Sequence, residues 1–149
     1  MHSTIRCFIA IEIPDEIQSK LSSVIFKSQL TSSNGFRPVR PGMIHVTLKF
    51  LGETTHKQII DLQQGLEHIA SISKPLELKI QGIGVFTSWS HPRTIWAGLI
   101  STIDLKNLAS SVDQMCESLG FSAETRSFSP HLTLARVSER IDIQRTLQP

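Results

Sequence analysis

Two short segments of this chain pair a histidine with a threonine two residues on: His45-Val46-Thr47-Leu48 and His131-Leu132-Thr133-Leu134. Side chains alternate between the two faces of a β-strand. An H-x-T on a strand therefore puts the imidazole and the hydroxyl on one face and sends Val46 or Leu132 into whatever lies behind. Two such stations brought to one spot would offer two imidazoles and two hydroxyls. That set suits a phosphodiester. A neutral imidazole takes a proton from an attacking oxygen and an imidazolium gives one to the leaving oxygen; with an unperturbed pKa of about 6.5, histidine fills either role near neutral pH. The threonine hydroxyls can donate to the non-bridging phosphate oxygens, and positioning with charge stabilisation carries most of phosphoryl chemistry.

A single H-x-T is weak evidence, because lone histidines are often structural. Its recurrence with the same threonine and the same strand context favours catalysis or phosphate binding over a structural role. A catalytic zinc usually takes three protein ligands, yet the chain has no H-E-x-x-H or H-x-H and neither motif contains a carboxylate. The reading therefore calls for no metal and no cofactor. The nucleophile elbow, the P-loop and the dinucleotide-binding glycine fingerprint are absent as well. His56 and His68 fall off the apolar stripe of a predicted helix, and His2 is terminal. His91 lies in a predicted loop, Ser88–Arg93, with no hydroxyl paired to it. Trp96, inside an apolar strand, reads as core; Trp89, in the loop, is a weak candidate for stacking on a base. Lys49 has the parity of His45 and Thr47 and reads equally well as a charged strand residue.

Strands and helices must position these groups. Arg6–Ile13 reads as a strand stopped by Pro14. Asp15 opens a helix with Ile17, Leu21, Val24 and Ile25 at helical spacing, closed near Ser32–Gly35. Phe36–Gly42 is extended because its prolines exclude helix. His45–Leu51 is a strand that Gly52 is expected to break. Thr55 and Gln58 form a capping box for a helix with Ile59, Leu62, Leu66 and Ile69 on its apolar stripe. Leu76, Leu78 and Ile80 alternate with polar residues as a further strand, and Thr94–Ile100 reads as another. A third helix carries Leu105, Leu108, Val112, Met115 and Leu119 and ends at Gly120. His131–Val137 is the last clear strand, and the tail after Arg140 could start a helix. Interspersed strands and helices without regular parallel crossovers give an α+β class, and the echo of the two motifs suggests two similar β/α halves.

The chain has 149 residues, 40% hydrophobic and 19% charged, which fits one domain able to fold without disulfides or a structural metal. Its formal charge of +2 fits a short nucleic-acid end or a single nucleotide better than a long duplex. Cys7 and Cys116 make no C-x-x-C pair and read as small buried hydrophobes. The N-terminus reads as a first strand, not a signal peptide, and no apolar run is long enough to span a membrane. A cytoplasmic protein is expected, with no membrane association and no obligate protein partner, and monomeric.

The chain resembles the two-histidine phosphoesterases, and among them the bacterial and archaeal RNA 2′,3′-cyclic phosphodiesterases, also called 2′-5′ RNA ligase-like proteins. The resemblance is carried by RCFIAIEIP, RPGMIHVTLKFLGE, GVFTSWSHPRTIWAGL and GFSAETRSFSPHLTLARV, from about Arg6 to Val137. It implies a bilobal α+β domain over residues 1–149, with two pseudo-symmetric lobes, an antiparallel sheet in each, and the motifs facing across a central cleft. It implies hydrolysis of RNA 2′,3′-cyclic phosphate ends, or of a small cyclic nucleotide, to 2′-phosphates. His45 would be the proton donor and His131 the proton acceptor, with Thr47, Thr133 and Arg136 holding the phosphate. Arg136 stands five residues past His131, so strict alternation would aim it at the opposite face unless a bulge re-aims it. Members of the family usually continue past the second motif with another strand, so the second lobe is expected to be shortened here. The same acid and base would serve joining of a cyclic-phosphate end to a 5′-hydroxyl as a 2′-5′ linkage. A nucleotide-binding module without turnover is the alternative of another class.

Overall fold

The computed structural model describes residues 3–28 and 34–139. These residues form β1 (Thr4–Glu12), α1 (Asp15–Phe26), β2 (Phe36–Pro38), β3 (His45–Thr55), α2 (His56–Ile72), β4 (Ile80–Ser88), β5 (His91–Leu99), α3 (Ile103–Ser118) and β6 (His131–Val137). Strand neighbours run β1-β3-β6-β5-β4, and β2 also pairs with β6. The pairings of β6 with β2, β3 and β5, and of β4 with β5, are antiparallel. The class is α+β, as the sequence predicts.

Packing divides the chain into two compact units, one built from residues 1–11, 47–79 and 100–130, the other from residues 12–46, 80–99 and 131–149. They do not follow the sequence halves. Both motif histidines belong to the second unit, and the motif strands β3 and β6 are neighbours in one six-stranded sheet. This differs from the expected pair of lobes, each with its own sheet and its own motif. The repeated H-x-T-L records two strands with the same alternation of faces, which pair side by side here.

In the first unit, Ile9, Leu62, Ile69, Val112 and Cys116 form the buried core, with Leu48, Leu51, Leu66, Leu108, Met115, Leu119 and Phe121 packed on it. The stripes of α2 and α3 read from sequence are the ones that meet. A side chain on Gly65 of α2 would fall 2.7 Å from the Met115 sulfur of α3, so the glycine permits the close approach. The capping box forms as expected: the Gln58 N–H donates to the Thr55 hydroxyl at 3.3 Å, and the Thr55 N–H donates to Gln58 Oε1 at 3.0 Å. Lys49 is buried, ion-paired with Asp113 of α3, and donates to the Ser122 carbonyl at 2.8 Å. These contacts tie β3 to α3 and to the segment that follows it.

In the second unit, Ile25, Ile44, Val46, Ile95 and Leu132 are almost fully buried. Asp15 and Glu16 sit in the first turn of α1, where the helix dipole favours acidic groups. Gln18 is buried; its amide donates to the Ile13 carbonyl at 3.2 Å, and its carbonyl accepts from the N–H groups of Gly42 at 2.9 Å and Ile44 at 3.0 Å. That clamp fixes the segment entering β3.

Several elements differ from the sequence reading. α1 ends at Phe26 with Lys27 as its C-cap, earlier than Ser32–Gly35, and Val24 is exposed. β3 runs on through Gly52, which takes φ +72° inside the strand without ending it. Leu76 and Leu78 keep their half-buried alternation, but the strand starts only at Ile80. Ser88–Arg93 is not a loop: Ser88 pairs with His91 across the two-residue turn Trp89-Ser90. The tail after Arg140 lies outside the described residues.

Candidate active site

The site begins with a backbone pair. Val46 of β3 lies opposite Leu132 of β6, both at 0% exposure. These are the middle residues of the two H-x-T motifs, so both point into the core and their neighbours turn to the other face. By the same antiparallel register, His45 of β3 and Thr133 of β6 come across from one another on that face. His131, two residues before Thr133, shares it. His45, Thr47, His131 and Thr133 are all half-buried, shielded from bulk water on one side and open on the other.

His45 Nδ1 lies 2.8 Å from the Met43 carbonyl. A carbonyl only accepts, so this contact places a proton on Nδ1. The Gln18 clamp holds the two residues on either side of Met43, Gly42 and Ile44, so the imidazole is oriented by a segment that is itself fixed.

His131 is oriented differently, by rings. Phe86 of β4 packs edge-on against it with centroids 5.1 Å apart, and Trp96 of β5 stands 6.2 Å away. Phe86 and Trp96 are themselves 5.4 Å apart. Trp96 needs the space above Gly84: a side chain there would fall 2.2 Å from the indole ring. The Trp96 Nε1 is buried and has no hydrogen-bond partner among the described residues. Trp96, which reads as core in the sequence, is half-buried and lies on the same face as the motif residues. Alternation alone cannot separate a core tryptophan from one that walls a site. The signal that could do so is Gly84, since a glycine within a strand marks a close approach.

Arg136 gains its place through an irregularity in β6. Along β5, Thr94, Trp96 and Gly98 alternate regularly and pair with Arg136, Thr133 and His131, with a register shift between Ile95 and Trp96. β6 thus spends one more residue than β5 between Thr133 and Arg136. This bulge reverses the parity of Arg136 and turns it to the face of His131 and Thr133. On its other side Arg136 pairs with Arg37 of β2. Both arginines are exposed. Sequence reasoning misses Arg37, because only the β2–β6 pairing brings it near.

Among the other described histidines, His91 shares, through the β4 register, the face of Thr94 and Trp96. His56 and His68 are exposed on α2, and His91 is exposed beside the β4–β5 turn, near the Ser90 hydroxyl at 3.3 Å. Trp89 is 41% exposed at that turn. Cys116 is buried in the first unit, where burial pushes its thiol up from the usual range. No helix among the described residues is long and apolar enough to cross a membrane.

Comparison with known proteins bears directly on this arrangement. A family model described as LigT-like phosphoesterase matches residues 11–96, which include the first motif. An Archaeoglobus fulgidus protein named RNA 2′,3′-cyclic phosphodiesterase is 30% identical over 91% of this chain and 74% of its own length. Proteins of the same name from Methanocaldococcus jannaschii and Geobacillus stearothermophilus are 32% and 35% identical; this chain covers 71% of the first and 41% of the second. Among solved structures, one from Thermus thermophilus superposes with a TM-score of 0.82 at 26% identity, over 92% of this chain and 76% of that one. Escherichia coli LigT complexed with 3′-AMP gives 0.74 at 27% identity, over 93% and 77%. A family model covering more than half the residues and curated relatives matched along most of the chain agree, and the chain belongs to the LigT-like phosphoesterase family.

Proposed function

We propose that this protein hydrolyses 2′,3′-cyclic phosphate ends of RNA to 2′-phosphate ends, without a metal, using His45 as proton donor and His131 as proton acceptor. The observation that carries the reading is the pairing of Val46 with Leu132, which turns both H-x-T motifs to one face. The name shared by its curated relatives, and the 3′-AMP bound to a solved neighbour, supply the substrate class.

In the proposed step, a water oxygen attacks phosphorus as the bond from phosphorus to the 3′ oxygen breaks. The water proton passes to His131, and His45 Nε2 gives its proton to the departing 3′ oxygen. His45 is then an imidazolium before the step. With Nδ1 committed to the Met43 carbonyl, Nε2 is the nitrogen that delivers the proton. Thr47 and Thr133 donate to the non-bridging oxygens. Arg136, re-aimed by the bulge, adds positive charge for the phosphate.

Product identity tests the reading. Hydrolysis of a short cyclic-phosphate RNA in ¹⁸O-water should give a labelled 2′-phosphate, seen by ³¹P NMR. A 3′-phosphate product would reverse which oxygen leaves and contradict the assignment of donor and acceptor. A product joined to an added 5′-hydroxyl RNA would make ligation the activity.

A further inference from the structure

Arg37 and Arg136 stand directly opposite each other on antiparallel strands. Like charges at such positions are destabilising, because facing side chains lie only about 5 Å apart at Cβ. Among the described residues, no carboxylate or other group pairs with either guanidinium. Both are exposed, and the bulge in β6 gives them the face that carries His131 and Thr133. Two such guanidiniums held face to face make a site for an anion that both can grip through paired N–H groups.

Position says which anion. On β5, Trp96 opposite Thr133 and Thr94 opposite Arg136 are two residues apart, a rise of about 7 Å along the strand. Arg37 lies one strand further out, on β2. A phosphate held by Thr133 therefore has Arg136 within reach of its flexible side chain, while Arg37 stands beyond it. A cyclic mononucleotide has one phosphate and gives Arg37 nothing to hold. An RNA chain carries a second, the phosphodiester on the 5′ side of the terminal nucleotide.

We propose that Arg37, with Arg136 shared between the two phosphates, binds that neighbouring phosphodiester, so that the site prefers an RNA chain end to a free cyclic mononucleotide. The inference rests on the cyclic-phosphate reading for its first phosphate. It adds a residue and a selectivity which that reading does not contain.

The test compares a 2′,3′-cyclic mononucleotide with a dinucleotide ending in the same cyclic phosphate. Arg37→Ala should lower kcat/KM for the dinucleotide about tenfold more than for the mononucleotide, the scale of one charge-assisted contact. Arg37→Lys should recover part of the loss. A dinucleotide with a neutral methylphosphonate linkage should cost the wild type as much as Arg37→Ala does, and the two changes should not add. Equal losses on both substrates, or additive losses, would overturn the proposal. Turnover of neither substrate by the wild type would sink the cyclic-phosphate reading itself. Binding then still decides the role of Arg37: in a salt titration of a short single-stranded RNA, Arg37→Ala should reduce the slope of log K on log salt by about 0.7, one phosphate contact. An unchanged slope would overturn it.

Discussion

Val46 and Leu132 face each other across β3 and β6 with no exposed surface. This apolar pair sets the polar one: because both middle residues are committed to the core, His45 and Thr133 must turn outward together. In the proposed reaction the hydroxyl of Thr133 serves binding and not shape. Thr133→Val keeps the volume and removes the donor, so it should leave thermal stability nearly unchanged and reduce turnover by less than the loss of either histidine. Unfolding and kcat/KM measured on the same preparation check both halves of that statement.

Gln18 acts on the site from behind. Its carbonyl accepts from Gly42 and Ile44, the residues flanking Met43, whose carbonyl orients His45, while its amide donates to the Ile13 carbonyl. Gln18→Leu strands the N–H groups of Gly42 and Ile44, the second of them buried, at a cost of about 1–3 kcal/mol for a buried unsatisfied group. The denaturation midpoint should fall accordingly, and kcat should fall as His45 loses its fixed acceptor. A lower midpoint with unchanged kcat would show that the clamp serves stability alone.

How far the structure is legible in the sequence follows from which interactions are local. The capping box at Thr55 and Gln58 and the bounds of β6 are written in neighbouring residues, and both form as read. Strand alternation picks out the motif histidines and threonines, and the Val46–Leu132 pair shows why: the middle residues are buried and the flanking ones are not. Arg136 is ambiguous in the sequence because its orientation depends on a bulge defined only by the partner strand β5. Arg37 is invisible there because β2 and β6 are about a hundred residues apart in the chain. Gly52 reads as a strand breaker, yet a glycine at positive φ costs little backbone strain, so β3 continues to Thr55.

The Lys49–Asp113 pair predicts a pH dependence of stability. The hydrogen bond from Lys49, joined by the Glu124 N–H, holds the Asp113 carboxyl below its usual range against a smaller opposing effect of burial. A depressed folded-state pKa contributes stability that is present above the unfolded value and lost as pH falls through the folded one. Stability should therefore decline on acidification below about pH 4. Asp113→Asn should be less stable at neutral pH and should lose less on acidification. Urea midpoints from about pH 7 to about pH 3 for both proteins would show it; parallel curves would contradict it.

Gly84 is a packing prediction. Gly84→Ala would drive a methyl group into the Trp96 ring, and overpacking of this kind typically costs about 1–3 kcal/mol. Trp96 and Phe86 together flank His131, so displacement of the indole should also lower turnover and shift tryptophan fluorescence. Unchanged emission and stability would mean that the ring is not confined as the structure shows.

The central claim is that two histidines on neighbouring strands share one proton-transfer step. Its most direct measurement is turnover of a short RNA ending in a 2′,3′-cyclic phosphate, with a chelator present, by the wild type, His45→Ala and His131→Ala. Turnover by the wild type is expected, with losses of about 10²–10⁴-fold in each variant and folding intact. Near-wild-type turnover by either variant, or loss of wild-type turnover on chelation, would contradict it.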